Sequence, residues 1–321
     1  MTREPPSILL AAGGTGGHLF PAFALAEELG RRGHAVDLAT DMRGDRYGTG
    51  FPARTVYRLP SATPGSKKSP IALARAGVTL LRGILKARTL LRELKPAVVV
   101  GFGGYPTIPP LVAARTLGVP SIIHEQNAVL GRANHALARH AAAVATSFQR
   151  TKRLDGPLAA KARFTGNPVR GVVIEAARTP YPPLEPGGPL RLLVFGGSQG
   201  ARFFSEAVPP ALASLPPDVR RRLKLVQQAR AEDVTEVTAQ TKAAGIDAEI
   251  APFFKDLPRI MAESHLVIAR AGASSVAELA VIGRPSILVP LPHSLDSDQL
   301  ENATNLAESG GSWCIEQKDL S

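Results

Sequence analysis

His18 closes a glycine-rich run in the stretch ILLAAGGTGGHLFPAFALAEEL, residues 8 to 29. An imidazole at such a place can take a proton from a hydroxyl, and glycine amides at a strand-to-helix bend can hold a phosphate. Two carboxylates invite similar attention. Glu125, in HEQN, follows an apolar run, and a carboxylate at a strand end could serve as a general base for the same hydroxyl. Glu278, in GASSVAEL, sits among small and apolar neighbours, where a carboxylate can accept both hydroxyls of a ribose. A further glycine turn, GGSQGA at 196 to 201, carries Ser198, and Arg170 follows the Asn167-Pro168 turn. Ser198 and the amides around it suit a phosphate at a helix start, while Arg170 reads equally as a cation near it or as a solvated loop arginine. Asp296-Ser297-Asp298 spells a D-x-D metal motif, but it precedes a helical pattern, where Asp and Ser read as N-caps.

These groups need elements to hold them, and hydropathy supplies a series of alternating strands and helices. Strands are expected at 8–12, 35–39, 55–59, 97–101, 120–124 and 142–146, then at 190–195, 223–227, 248–251, 266–269 and 286–289, with helical patterns between most of them. Alternation of this kind gives parallel sheets. Residues 175–189 hold five prolines and two glycines, which neither a helix interior nor a central strand tolerates. The expected organisation is therefore a first domain at 1–174, a linker at 175–189 and a second domain at 190–321. Glycine turns after the first strand of each half, and a third at GFGGYPTIPP after Val98 to Val100, mark a polyphosphate site.

Composition narrows the ligand class. The 321 residues carry a formal charge of +11, which calls for an anionic partner, yet aromatics are only 5%, too few for the stacking platforms of single-strand nucleic-acid binders. Nucleic acid is not expected as a partner. One cysteine, Cys314, excludes an internal disulfide and a zinc cluster and fits a reducing compartment. No secretory segment or run approaching the ~20 apolar residues of a membrane span is evident, so a soluble or peripheral protein is expected. In the helical pattern 71–94, Leu73, Leu80, Ile84 and Leu91 share one face. Arg75, Arg82 and Lys86 lie opposite, with Lys67 and Lys68 before them. That spacing fits an anionic membrane surface and equally a helix packed on its sheet with a solvated basic back. The glycine turns match neither the P-loop nor the full G-x-G-x-x-G pattern, because Leu19 stands where the third glycine belongs. A nicotinamide oxidoreductase is thus the weaker alternative.

Seven stretches, GGTGGHLFPAFALA (13–26), GFGGYPTIPP (101–110), HEQNAVLGRAN (124–134), TGNPVR (165–170), GGSQGA (196–201), RAGASSVAEL (270–279) and DQLENA (298–303), resemble in order the motifs of the bacterial lipid I N-acetylglucosaminyltransferase family. The resemblance covers nearly the whole chain. It implies a GT-B fold, two Rossmann-like doubly wound domains facing a cleft. The implied reaction is inverting transfer of N-acetylglucosamine from UDP-GlcNAc to the 4-hydroxyl of the muramyl sugar of lipid I (undecaprenyl-pyrophosphoryl-MurNAc-pentapeptide), without a metal. It also implies a peripheral place on the cytoplasmic face of the plasma membrane. Residue by residue it implies donor contacts at Thr15, Gly16, Gly17, Asn127, Arg170, Ser198, Gln199, Phe254, Ala273, Ser274, Ser275, Glu278, Gln299 and Asn302. Acceptor contacts are implied at Gly13, Gly14, Gly103, Gly104, Tyr105 and Asn134, and His18 or Glu125 is the base. Family members usually continue with a further helical segment beyond CIEQKDLS, so a shortened C-terminus is expected. Other GT-B enzymes, such as a lipid glycosyltransferase or a UDP-GlcNAc 2-epimerase, would share the fold and nucleotide site but replace the first-half motifs. A nonenzymatic nucleotide-sugar binder would lack the acceptor loops.

Overall fold

The computed structural model describes residues 7–41, 50–62, 69–197 and 202–320. The chain divides into two compact units, Met1–Arg170 and Gly171–Ser321. In the first, short apolar runs form a seven-stranded sheet of order β3-β2-β1-β4-β5-β6-β7, all parallel. The strands are β1 (Ile8–Ala11), β2 (Val36–Thr40), β3 (Thr55–Arg58), β4 (Val98–Gly101), β5 (Ser121–Glu125), β6 (Ala143–Thr146) and β7 (Ala162–Phe164). Central strands such as ILLA and VVVG have no polar alternation because helices cover both faces of a parallel sheet. Leu9, Val99, Ile123 and Val144 enter one apolar cluster, while Leu10, Leu38, Val100 and Phe102 enter another. Each side chain so buried contributes roughly 1.5–3 kcal/mol.

The helices of this unit are α1 (Gly16–Arg31), α2 (Pro70–Leu94), α3 (Ile108–Thr116), α4 (Arg132–Ala138) and α5 (Gly156–Ala159). Pro70 opens α2, where a missing N–H costs nothing, and Lys95 closes it in the left-handed region at φ 46°. Only Gly83, Ala87, Leu90 and Leu91 of α2 are buried, where the helix packs along α3.

The second unit holds β8 (Leu190–Phe195), β9 (Leu223–Gln228), β10 (Asp247–Ala251), β11 (Leu266–Ala269), β12 (Ser286–Leu288) and β13 (Ser312–Cys314) in the parallel order β10-β9-β8-β11-β12-β13. Its helices are α6 (Gly171–Ala176), α7 (Arg202–Ala213), α8 (Pro217–Arg220), α9 (Val234–Ala243), α10 (Leu257–Ala262), α11 (Ala273–Ile282) and α12 (Asp298–Glu308). Leu192, Val194, Phe204 and Leu225 anchor its core. This strand order is that of a doubly wound dinucleotide-type sheet, and the first unit repeats it with one more strand.

The expected strands all form, each within a residue of its expected ends, and β7 and β13 are additional. The proline-rich segment is more tightly held than its composition suggests. α6 packs against α10 and α11. Beyond it, Arg284, 6% exposed, donates to the carbonyls of Thr179 and Pro180 as well as to those of Ala262 and Ile282. The Tyr181 hydroxyl donates to the His265 carbonyl. Prolines exclude helix and ladder here, but they leave carbonyl acceptors that a buried guanidinium can collect.

Candidate functional site

In each sheet the strand order reverses beside the first strand, between β1 and β4 in one unit and between β8 and β11 in the other. A crevice outside the carboxyl ends of such strands is where open α/β sheets bind ligands. In the first unit the turn after β1 and the turn after β4 share this place. A Cβ on Gly13 would stand 2.9 Å from Asp41 Oδ1 and 3.0 Å from Thr40 Oγ1, so only glycine lets the chain pass the end of β2. Gly14 and Thr15 then lead into α1, whose N-cap Thr15 is exposed and makes no side-chain cap, with Gly16 and Gly17 in the first turn. An uncapped helix start carries unpaired donors and partial positive charge.

His18, in that first turn, lies against the second glycine turn. Gly103 and Gly104 have φ of 91° and 73°, and a Cβ on either would meet the His18 ring at 3.2 Å. Tyr105, half-buried, begins the short turn that follows, and Thr107 fastens it by donating to the Gly104 carbonyl at 2.8 Å. The His18 ring is held from its other side. Its Nδ1 is 2.9 Å from Gln126 Oε1, and Gln126 Nε2 is 2.9 Å from His124 Nδ1 and 2.8 Å from the His124 carbonyl. His124 Nε2 in turn lies 3.1 Å from the Gly166 carbonyl. Burial pushes the His124 imidazole down to about 4, against the opposing pull of its bond to Gly166, so the ring is neutral at physiological pH.

Glu125 has a different environment. Its carboxylate, 2% exposed, accepts from the Asn127 backbone N–H at 3.0 Å, the Asn127 amide at 3.4 Å, the Gly131 N–H at 2.9 Å and the Asn134 amide at 2.8 Å. These bonds fold the 126–134 loop onto the end of β5. Asn134 is buried beside Gly103. Its Oδ1, left without a hydrogen-bond partner among the described residues, can receive a donor. The Arg170 guanidinium stacks 4.3 Å from the centre of the Phe20 ring on α1.

In the second unit the turn after β8 begins at Gly196 and Gly197, with the Gly196 N–H bonded to Gln228 Oε1 at 3.2 Å. Ser198 and Gln199 lie outside the described residues. After β11, Gly272 precedes α11 and has no side chain to cap Ala273, Ser274 and Ser275. Glu278 is 7% exposed in the second turn of that helix, as its neighbours Val276 and Leu279 foretold, although Ala280 is exposed. Asn302 is fully buried and donates to the Ala271 carbonyl at 3.1 Å. Gln299 accepts from the Leu291 N–H at 3.0 Å, so both amides brace the loops around α11. Phe254 is half-buried in the loop after β10. Asp298 Oδ1 caps the N–H of Gln299, while Ser297 at φ 58° makes no side-chain cap. Among the described residues no group of three or more His, Cys, Asp or Glu could hold a metal.

Two site residues were not singled out from the sequence. Gln126 follows His124 by two, and i, i+2 residues of an extended strand share a face, which is the signal available for it. Arg270, 6% exposed at the end of β11, donates to the Val289 and Pro290 carbonyls and to Gln317 Oε1, and lies over the Phe203 and Phe204 rings. It ties the β12 exit loop to the switch point.

The outer face of α2 also departs from expectation. Leu91 is buried, and Leu80 and Ile84 are half-buried, but Leu73 is 67% exposed because none of residues 70–82 reaches the core. The outward side is not simply basic. Ile71, Val78 and Leu85 recur every seven residues there with Leu81 beside them, all at least half exposed, and Arg75, Arg82 and Lys86 run alongside. Lys67 and Lys68 lie outside the described residues. No described helix is long and apolar enough to cross a membrane.

Residues 8–146 match the glycosyltransferase family 28 N-terminal domain and residues 191–321 its C-terminal domain. The UDP-N-acetylglucosamine--N-acetylmuramyl-(pentapeptide) pyrophosphoryl-undecaprenol N-acetylglucosamine transferase of Methylobacterium sp. (strain 4-46) is 57% identical, over 100% of this chain and 86% of its own length. Among solved structures, Acinetobacter baumannii MurG superposes with a TM-score of 0.76 at 30% identity, covering 99% of this chain and 87% of that one. A Neisseria meningitidis UDP-GlcNAc 2-epimerase bound to UDP-GlcNAc shares the fold alone, with a TM-score of 0.65 at 13% identity over 97% of this chain and 87% of that one.

Proposed function

Since the chain belongs to glycosyltransferase family 28, we propose that the two switch-point crevices divide the labour of its reaction, acceptor and base in the first unit and nucleotide in the second. The chain is a GT-B N-acetylglucosaminyltransferase that moves GlcNAc from UDP-GlcNAc to lipid I, giving lipid II for peptidoglycan. In this transfer the muramyl 4-hydroxyl attacks the anomeric carbon, the bond to UDP breaks with its electron pair leaving on the diphosphate, and the hydroxyl proton must go to a base. The His18 ring between two glycine turns is the observation that carries the assignment. Its Nε2 edge lies by Gly104, where a lipid-linked pyrophosphate held by the turns would bring the acceptor sugar. With four donated bonds on Glu125, we read that carboxylate as the brace of the loop carrying Asn127 and Asn134, and His18 as the base.

For the donor, a buried carboxylate on α11 matches a ribose diol, and the helix start at Ala273 to Ser275 matches phosphate oxygens. Glu278→Ala is expected to weaken UDP binding by about 1–3 kcal/mol with folding retained, through loss of charge-assisted bonds. Calorimetric titration checks this, and wild-type affinity would remove Glu278 from the donor site.

The acceptor carries a polyprenyl chain and stays in the bilayer, so the enzyme must work at its surface. The exposed apolar stripe Ile71, Val78, Leu81 and Leu85, bordered by Arg75, Arg82 and Lys86, fits an anionic leaflet, with apolar residues entering the interface and cations meeting headgroups. On this reading the protein works peripherally at the cytoplasmic face of the plasma membrane, where nucleotide sugars are found. Changing Arg75, Arg82 and Lys86 together to glutamate is expected to release the protein from phosphatidylglycerol vesicles at low salt while UDP affinity stays unchanged. Undiminished co-sedimentation would reduce the basic border to a solvated helix back.

A further inference from the structure

We infer that Gln126 is a positioning residue that sets the tautomer of His18, so that Nδ1 carries the proton and Nε2 the lone pair. The inference rests on the reading of His18 as base, and it follows from two main-chain carbonyls that can only accept. The His124 carbonyl lies 2.8 Å from one end of the Gln126 amide, so that end is the NH2, and the oxygen faces His18. At the far end of the chain the Gly166 carbonyl is 3.1 Å from His124 Nε2, so Nε2 carries the His124 proton and Nδ1 accepts the second Gln126 N–H at 2.9 Å. Reversing the Gln126 amide would bring two acceptors together at 2.8 Å and a donor onto His18. With its oxygen fixed, Gln126 leaves His18 Nδ1 one role, donation at 2.9 Å.

The relay holds in both states of the reaction. As the acceptor O–H bond breaks, its proton passes to Nε2, the new C–O bond forms and the pair from the broken bond departs with UDP. Nδ1–H still points at the same oxygen, so no group has to turn over. Gln126 is 1% exposed and His124 5% exposed, so the wiring is buried and bulk water does not compete for it. Burial also keeps His124 neutral, which preserves the acceptor that Gln126 requires. Glutamine suits the place better than a single-function side chain because it must accept from one histidine and donate to the other.

Gln126→Met, similar in length and without hydrogen bonds, tests the proposal. In long-range 1H–15N spectra of histidine-labelled protein, the His18 ring is identified as the set missing in His18→Ala. In the wild type it is expected to show a protonated Nδ1, and in Gln126→Met a mixture with Nε2–H. Turnover is expected to fall on the order of 10- to 100-fold with the KM for UDP-GlcNAc unchanged. In a His18→Ala background the same change is expected to cost nothing further, because the relay then has nothing to position. An unchanged tautomer in Gln126→Met, or losses that multiply in the double variant, would overturn the relay. Normal turnover by His18→Ala alone would instead overturn the base reading and leave the tautomer result standing. Should Gln126→Met fail to fold, the wild-type spectrum alone decides: a His18 ring with its proton on Nε2 and a bare Nδ1 would overturn the relay.

Discussion

His18→Ala is expected to lower kcat by about 100- to 10,000-fold, with UDP affinity nearly unchanged. That range equals about 3–5 kcal/mol of lost transition-state stabilisation. It falls on kcat because the proton moves only as the new glycosidic bond forms, so the interaction is absent from the bound ground state. The nucleotide is assigned to the second unit, around Glu278 and the start of α11, and truncating an imidazole in the first unit leaves those groups in place. Helix α1 tolerates alanine at its third residue, the Gly103–Gly104 turn beside the ring is fastened independently by the Thr107 bond to Gly104, and Gln126 keeps its two bonds to His124. His18→Gln separates chemistry from shape: an amide can fill the space by the turn but cannot take a proton at neutral pH, so it is expected to be as slow as alanine. Release of UDP at saturating lipid I analogue is the measurement. A brace that merely shapes the turn would show itself as a raised acceptor KM or a lower melting temperature at normal kcat.

What the sequence could reveal follows from which forces act locally. Central strands such as ILLA and LRLLVF are apolar at successive positions because both faces are covered, so they stand out from any flanking segment. β7, with two of its three residues exposed, and β13, where Trp313 is 62% exposed, are short edge strands with no such signature. Burial of Glu278 was legible because Val276 and Leu279 lie on its helix. The outward stripe on α2 escaped because a wheel drawn through Leu80, Ile84 and Leu91 finds the core face and stops there. Ile71, Val78, Leu81 and Leu85 make a second apolar face, visible only once the sheet has claimed the first. Prolines in 175–189 keep residues 177–189 out of helix and strand, although α6 takes Glu175 and Ala176. They could not announce Arg284, more than ninety residues on, which collects the carbonyls of Thr179 and Pro180. The same limit hid the working partner of His18, since Gln126 is 108 positions away and its role depends on which atoms it meets.

The roles of the two acid–base candidates separate most sharply at Glu125, where alanine is expected to cost stability before it costs chemistry. Removing the carboxylate strips the acceptor from the N–H groups of Asn127 and Gly131 and from the Asn134 amide, all on a loop folded over the end of β5. Each donor left dry costs about 1–3 kcal/mol, and water entering the space recovers part of it. Release of the buried carboxylate from its own desolvation offsets a further share. The expected net loss is about 2–4 kcal/mol, a fall of roughly 5–15 °C in the melting of a unit of this size. The loop that presents Asn127 and Asn134 would loosen with it, so acceptor KM is expected to rise more than kcat falls. Glu125→Gln retains one acceptor oxygen and turns an NH2 toward former donors, which places its melting temperature between those of alanine and wild type. Thermal unfolding of the two variants, followed alongside UDP release at saturating acceptor, decides the matter. A protein that melts as the wild type does and has lost a hundredfold or more in kcat would hand the proton to Glu125 and reduce His18 to a wedge between glycine turns.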